Sequence, residues 1–348
     1  MFKKCVLLIL CIGLFCSAGC RKPVQQLSVD RGSEPQSVPE PVPEKPIYDK
    51  NPLTGLYDLP EGKAKDRPVA IAINNISVAQ SVQAGIQKAD LVYETEVEGG
   101  ITRLLALYQN VSAVEKIGTI RSARYVFVDL ALGHNALYIH HGQDPVYCKP
   151  HLRDIDDINL SEGNYGFRLK NGLAIEHTLY TNGEKLWSGM VKDGRKTENT
   201  KNTGDWATFA QEADAVVPET GAKSVSVLFS SSYRTVFRYD ETNKTYTRYF
   251  RDTLRKDTFT GETTQVQNVF VLLTSIQNYP DGYHRQVSLQ GGDGYYCTNG
   301  AYTPIKWKKG NASSGFSFTN TDGTPLLVAP GRSWVCIASR TKSKPTFE

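Results

Sequence analysis

The segment from Arg21 to Lys50 carries six prolines, Pro23, Pro35, Pro39, Pro41, Pro43 and Pro46, among Gln, Ser and Glu, and it has no apolar period. Such a segment cannot bury a core and runs extended, with polyproline character. Folding therefore starts near Asn51-Pro52-Leu53-Thr54-Gly55. About 300 residues follow, enough for two domains of ordinary size.

The residues ahead of this tether point to a membrane. Lys3 and Lys4 give a basic start, and Val6 to Phe15 is an apolar run broken only by Cys11 and Gly13. Ser17, Ala18 and Gly19 are small and Cys20 follows directly, which is the layout of a secretory signal. The apolar run is too short to span a bilayer, which needs about 20 residues. Cys20 after three small residues resembles a bacterial lipobox, where the thiol is acylated and the leader is cut just before it. Each buried CH₂ of such an anchor contributes about 0.8 kcal/mol. The expectations are a leader over 1–19, a palmitate-type lipid on Cys20, a tether over 20–50, and a position on the outer face of the plasma membrane.

Beyond the tether, element types alternate. Val69 to Ile73 reads as a buried strand and Val78 to Ala89 as a short helix. Asp90–Val97 and Ile101–Tyr108, broken by Gly99-Gly100, read as a hairpin. Ile117 to Ile120 and Ala136 to His140 read as strands, and Ser122 to Leu132 as a helix with Ser122 as its N-cap. Pro145–Ile155, Gly183–Val191 and Trp206–Ala213 read as short helices. From Ser224 strands take over, with Asp240 to Lys244 and Asn299-Gly300 as hairpin turns and further strands at Val269–Leu273, Phe316–Phe318, Leu326–Val328 and Trp334–Ile337. The fold class expected is α+β: an N-terminal mixed α/β domain over 51–215, then a mainly antiparallel β domain over 220–340.

Composition excludes some functions. A formal net charge of +4 is too mild to argue for nucleic acid. Cys148, Cys297 and Cys336 have no CxxC spacing, and no HExxH is present, so neither a metal nor another cofactor is expected. An exported compartment permits a Cys297–Cys336 bridge, while buried free thiols are the alternative.

Polar residues cluster at the ends of apolar runs, where mixed sheets tend to bind ligands. Glu94-Thr-Glu96-Val-Glu98 precedes Arg103, Arg121-Ser-Ala-Arg124 follows Ile117–Ile120, and His140-His141 follows Ala136. Arginines here can hold phosphate or carboxylate through bidentate bonds, or they can pair internally with Glu94, Glu96 and Glu98. Alternating carboxylates about 7 Å apart also suit glycoside cleavage, though a solvated strand face has the same pattern. Glu176-His177 is a further candidate element. Among the tyrosines and tryptophans of the β part, from Tyr279 and Tyr283 to Trp334, exposed members would stack on sugar rings and the rest would pack the core.

Taken together, Asn51-Pro-Leu-Thr-Gly55, Arg67-Pro68, Asn74-Asn75, Glu98-Gly-Gly-Ile-Thr-Arg103, Ile117-Gly118, Arg121-Ser-Ala-Arg124, His141-Gly142, Asn268-Val269, Asn299-Gly300 before Trp307, and Pro330-Gly331 with Trp334 resemble the YerB-like lipoprotein family, which carries a two-part domain of unknown function, number 3048. The resemblance spans roughly residues 50 to 340. It implies a lipoprotein with a mixed N-terminal and a mainly β C-terminal part, and no established activity. Family members carry Arg-x-Pro-His-Asn where this chain has Ala174-Ile175-Glu176-His177-Thr178, so only the histidine is kept.

Two functions are expected. The first is a cell-envelope lipoprotein binding an anionic ligand (wall glycan or teichoic polymer) or a wall-associated protein through Arg103, Arg121 and Arg124, with His141 and His177 nearby. The second is a hydrolase or transferase of wall polymers that uses Glu96 or Glu98 with His141.

Overall fold

Val69 to Ile73, the first apolar run after the tether, belongs to strand β1 (Val69–Asn74), which is buried throughout. A fully apolar strand needs cover on both faces, and the rest of the fold supplies it. The structure, a computed structural model, describes residues 48–201 and 205–348. Cys20, the leader and the proline-rich segment up to residue 47 lie outside the described residues.

The expected hairpin forms from β2 (Leu91–Glu96) and β3 (Thr102–Tyr108), followed by β4 (Leu137–His140) and β5 (Asp157–Asn159). The second half adds β6 (Thr220–Gly221), β7 (Asn268–Thr274), β8 (Gly291–Thr298), β9 (Ala301–Lys309), β10 (Phe316–Asn320) and β11 (Ser333–Ser339). All belong to one eleven-stranded sheet, ordered β6-β9-β8-β7-β11-β2-β3-β1-β4-β5 with β10 on β9. Strand β11 lies parallel between β7 and β2, with Trp334 opposite Val269 on one side and Val92 on the other. Pro46–Glu348 is a single compact unit with its own core, so this segment carries its own fold.

One face of the sheet packs on a six-stranded sheet formed by Ser224–Leu228, Arg234–Asp240, Thr245–Phe250, Thr253–Leu254, Gln265–Val266 and Thr346–Phe347. There Val225, Phe237 and Tyr246 join Val92, Val269 and Trp334 in a common core. The other face packs Leu91, Tyr93 and Leu105 with helix α1 (Tyr125–Gly133), Trp206 and Phe318. Asn299 and Gly300 both take positive φ (51° and 71°), which is why this dipeptide closes the β8–β9 hairpin.

Strands thus dominate and helices are few. Gly183–Lys192 is an α-helix (α2), capped by the Asn182 side chain on Lys185 N–H, close to the Gly183–Val191 expected. Val78–Ala89 is no helix: it gives only the 3₁₀ turns Ser77–Val82 and Ile86–Lys88, separated by Gly85 at φ +79°. Pro145–Ile155 reduces to a 3₁₀ stretch Lys149–Asp154, and Trp206–Ala213 is irregular apart from the start of a 3₁₀ turn at Ala213. Leu326–Val328 forms no strand, only a bridge from Val328 to Phe209. Within the second half, β7–β11 is a parallel pair.

The three cysteines of the folded part are free and buried, so the bridge expectation gives way to the alternative. Cys297 on β8 and Cys336 on β11 have β7 between them. Two strand spacings amount to roughly 10 Å, too far for a disulfide.

Candidate functional site

The pairing pattern makes β7, β11, β2, β1, β4 and β5 run the same way, so their C-terminal ends share one rim. Asn74, Glu96 and His140 end β1, β2 and β4 there, and Arg103 sits near the start of β3 on the same rim. The candidate residues separate into two groups along it.

The first group centres on Glu98. After β2 the chain turns through Gly99 and Gly100, both at positive φ, which brings Arg103 at the start of β3 back to Glu98. Its carboxylate accepts from Arg103 Nη2 (3.2 Å), Arg124 Nε (2.7 Å) and Arg124 Nη2. Burial alone would raise the Glu98 pKa, but the charges of Arg103 and Arg124 and the Arg124 hydrogen bond outweigh it and hold the group at about 2. Burial, with Arg124 beside it, lowers Arg103 to about 10, which leaves it protonated at neutral pH. The expectation that Arg103 and Arg124 meet carboxylates inside the protein therefore describes their observed contacts. Helix α1 begins at Tyr125 with Arg124 at its N-cap, not Ser122. The Ala123 N–H donates to Gly142 O and holds this stretch extended, while Ser122 O accepts from Arg103 Nη1.

The three glutamates do not share a solvated strand face. Glu94 is buried and accepts from Asn75 Nδ2, Thr102 Oγ1, Thr235 Oγ1 and Trp334 Nε1, all within 2.9–3.1 Å. Glu96 is buried too and accepts from Arg285 Nε at 2.7 Å.

The second group surrounds Arg121. Backbone bonds from Arg121 N–H to Ala72 O and from His141 N–H to Arg121 O thread this residue between the ends of β1 and β4. Its Nη2 lies 3.6 Å from Glu176 Oε1, which is also 3.6 Å from His177 Nε2. Asn74 Nδ2 and His177 Nδ1 are 2.8 Å apart, and burial lowers the His177 pKa against the opposing pull of Glu176. His141 bonds through Nδ1 to Leu160 O and through Nε2 to Arg168 Nη2 (3.3 Å). Its neighbour His140 is a loop anchor, held by Asp157 and Gly142 O.

Arg121 differs from the other two arginines. Its side chain is 26 % exposed, its counter-charge is the half-exposed Glu176, and its Nε has no hydrogen-bond partner among the described residues. Loose, partly exposed pairs of this kind contribute about 0–1 kcal/mol.

Proton-transfer chemistry has little support here. Glu98 is kept ionised, Glu96 is held by Arg285, and His141 is held by Leu160 and Arg168, so each group is committed to a different partner. Cys148 is no thiolate, since burial pushes it up to about 12. Among the described residues no group of His, Cys, Asp and Glu could hold a metal ion.

Sequence reading missed Arg168. Arg168 lies in a weakly patterned stretch and reaches His141 only through the fold. Thr119 accepts the Asn74 N–H through its carbonyl. Asn74 did stand out, as part of a family motif.

The model described as "Protein of unknown function (DUF3048) N-terminal domain" matches residues 53–196, and that of the DUF3048 C-terminal domain matches residues 225–335. "Putative lipoprotein YerB" of Bacillus subtilis (strain 168) is 30% identical over 308 residues, which is 83% of this chain and 86% of that protein. The crystal structure of YerB protein from Bacillus subtilis superposes with a TM-score of 0.73 at 27% identity, covering 85% of this chain and 99% of that one. The resemblance drawn from the scattered motifs thus holds over most of the chain.

Proposed function

Because the chain belongs to the protein family of unknown function DUF3048, whose two domains it carries in order, we propose that it is a cell-envelope lipoprotein that binds an anionic wall polymer through Arg121. The lipid sits on Cys20 and the globular part stands off the outer face of the plasma membrane on the proline-rich tether. What supports the anchor is the leader and Cys20 in the sequence, together with a relative described as a putative lipoprotein. Among the described residues no helix is long and apolar enough to cross a membrane.

The observation that carries the binding reading is the partly open Arg121 guanidinium, loosely paired with Glu176. A phosphate or carboxylate of the polymer displaces Glu176 and accepts from Arg121. The chemistry fits teichoic phosphate and acidic wall glycan alike, and charge-assisted bonds of this type contribute about 1.5–3 kcal/mol.

In pull-down of fragment 48–348 with purified wall polymers, Arg121→Ala is expected to weaken binding about tenfold or more. Its melting point should stay close to the parent's, since an exposed ion pair contributes little. Comparing phosphate-bearing with phosphate-free wall material identifies the anion. Parent-like binding by Arg121→Ala would sink the proposal. Separately, Cys20→Ser in the full chain is expected to move the protein from the membrane fraction to the soluble fraction, and continued sedimentation with membranes contradicts the lipid anchor.

A further inference from the structure

On the same rim, away from Arg121, two loops from opposite halves of the chain lock together around tyrosines. One is the turn between strands Ile276–Asn278 and Arg285–Val287. The other is the turn that follows Asp144.

Both loops are rigid. The Asp281 carboxylate accepts from the Tyr283 and His284 N–H groups (2.9 and 3.1 Å) and lies 2.6 Å from His284 Nδ1. Asp144 accepts from the N–H groups of Val146, Tyr147 and Cys148 and lies 3.7 Å from His284 Nε2. Tyr147 and Tyr279 stack at 3.8 Å with 14° between their planes, and Tyr125 closes the far side of Tyr279 edge-on. On this braced base Tyr283 stands 56 % exposed, nearly perpendicular to the His284 ring. Val146 is exposed as well, and the exposed Gln277 and Gln286 are cross-strand partners, with Gln277 Nε2 donating to Ser275 Oγ at 3.3 Å.

The charged side chains of the patch have partners. Asp281 and Asp144 answer His284, and Arg285 is held by Glu96. The patch therefore offers no unsatisfied cation for an anion. It offers an exposed aromatic ring on a braced turn whose strand stem carries two exposed glutamines, which suits a ligand that has a C–H face and a rim of hydroxyl and amide groups.

We propose that this hairpin is a saccharide-binding platform, with Tyr283 stacking on the C–H face of an uncharged N-acetylhexosamine ring and the Gln277 and Gln286 amides bonding its polar rim. The platform is independent of the Arg121 reading and takes a neutral glycan where Arg121 takes an anion. Immobilising Tyr283 costs little on binding because the turn is already fixed.

The test is saturation-transfer NMR and calorimetry of fragment 48–348 with N-acetylglucosamine tetramer. Transfer should fall on the sugar ring protons. Tyr283→Ala should weaken binding about tenfold, the scale of one lost aromatic contact. Tyr283→Phe, which keeps the ring, should bind like the parent. No transfer to the tetramer, or equal binding by Tyr283→Ala, overturns the platform. Because Tyr283 is largely exposed, its alanine variant keeps the parent melting point, so weakened binding reports the contact. If anionic polymer binds while the tetramer does not, Arg121 stands alone and the platform falls.

Discussion

Glu98→Gln should lower the unfolding free energy of fragment 48–348 by about 3–5 kcal/mol at neutral pH. The substitution is nearly isosteric, so the loss is one of charge. Arg103 is almost wholly buried and Arg124 largely so, and both point their guanidinium groups at this carboxylate. Without it two cations stay desolvated beside each other, and the Ser122 and Ala123 carbonyls that also accept from them carry no net charge.

The same contact sets a pH signature. The folded pKa of about 2 lies below the ordinary value of 4.5. The stabilisation is therefore fully present above about pH 4.5 and is lost as pH falls through about 2. The size is about 3 kcal/mol. Urea titrations at pH 7 and near pH 2 should show the parent losing this increment and Glu98→Gln lacking it. Equal midpoints for the two proteins at pH 7 would refute the account.

Glu94→Gln should be at least as damaging, with a loss of about 3–5 kcal/mol from a buried charge network. Glu94 accepts four side-chain donors, drawn from the segment after β1, from β3, from β11 and from the six-stranded sheet. A glutamine points an N–H₂ group at donors that need an acceptor. It also removes the negative charge near Arg248, a buried cation that lies over the Trp334 ring at 4.5 Å. Burial lowers Arg248 to about 10, and Glu94 acts against that fall. Arg248→Met, measured alone and with Glu94→Gln, should give a coupling energy of at least about 0.5 kcal/mol, as for residues of one network. Strict additivity of the two losses would show that the carboxylate and the guanidinium do not act together.

Local pattern carried the strands well. The Asn299-Gly300 hairpin, the Asp90–Tyr108 hairpin and the apolar run at Val69 are dictated by turn chemistry and by side-chain period, which act over a few residues. Short helices were harder. Val78–Ala89 has helical spacing, yet Gly85 at positive φ divides it into two turns. The Glu94-Thr-Glu96-Val-Glu98 alternation looked like a wet face because several of the donors are distant in sequence. Thr235, Arg285 and Trp334 arrive from far down the chain. Arginine pairing on Glu98 was readable as one of two alternatives, and the loose Glu176 contact that sets Arg121 apart was not. It depends on how the Ile175–His177 turn closes over the end of β1.

The placement of β11 has a consequence for synthesis. The strand that fills the gap between β7 and β2 is among the last to leave the ribosome. For a chain exported through its leader, Leu91–Glu96 gains this partner only after the last strands have crossed the membrane. Until then β2 offers an unpaired edge and the buried acid Glu94 lacks its Trp334 donor, so the nascent chain is at its stickiest just before it completes itself. A premature stop anywhere ahead of Ser333 would release a chain with that edge permanently open, material for proteolysis or aggregation rather than a smaller working module.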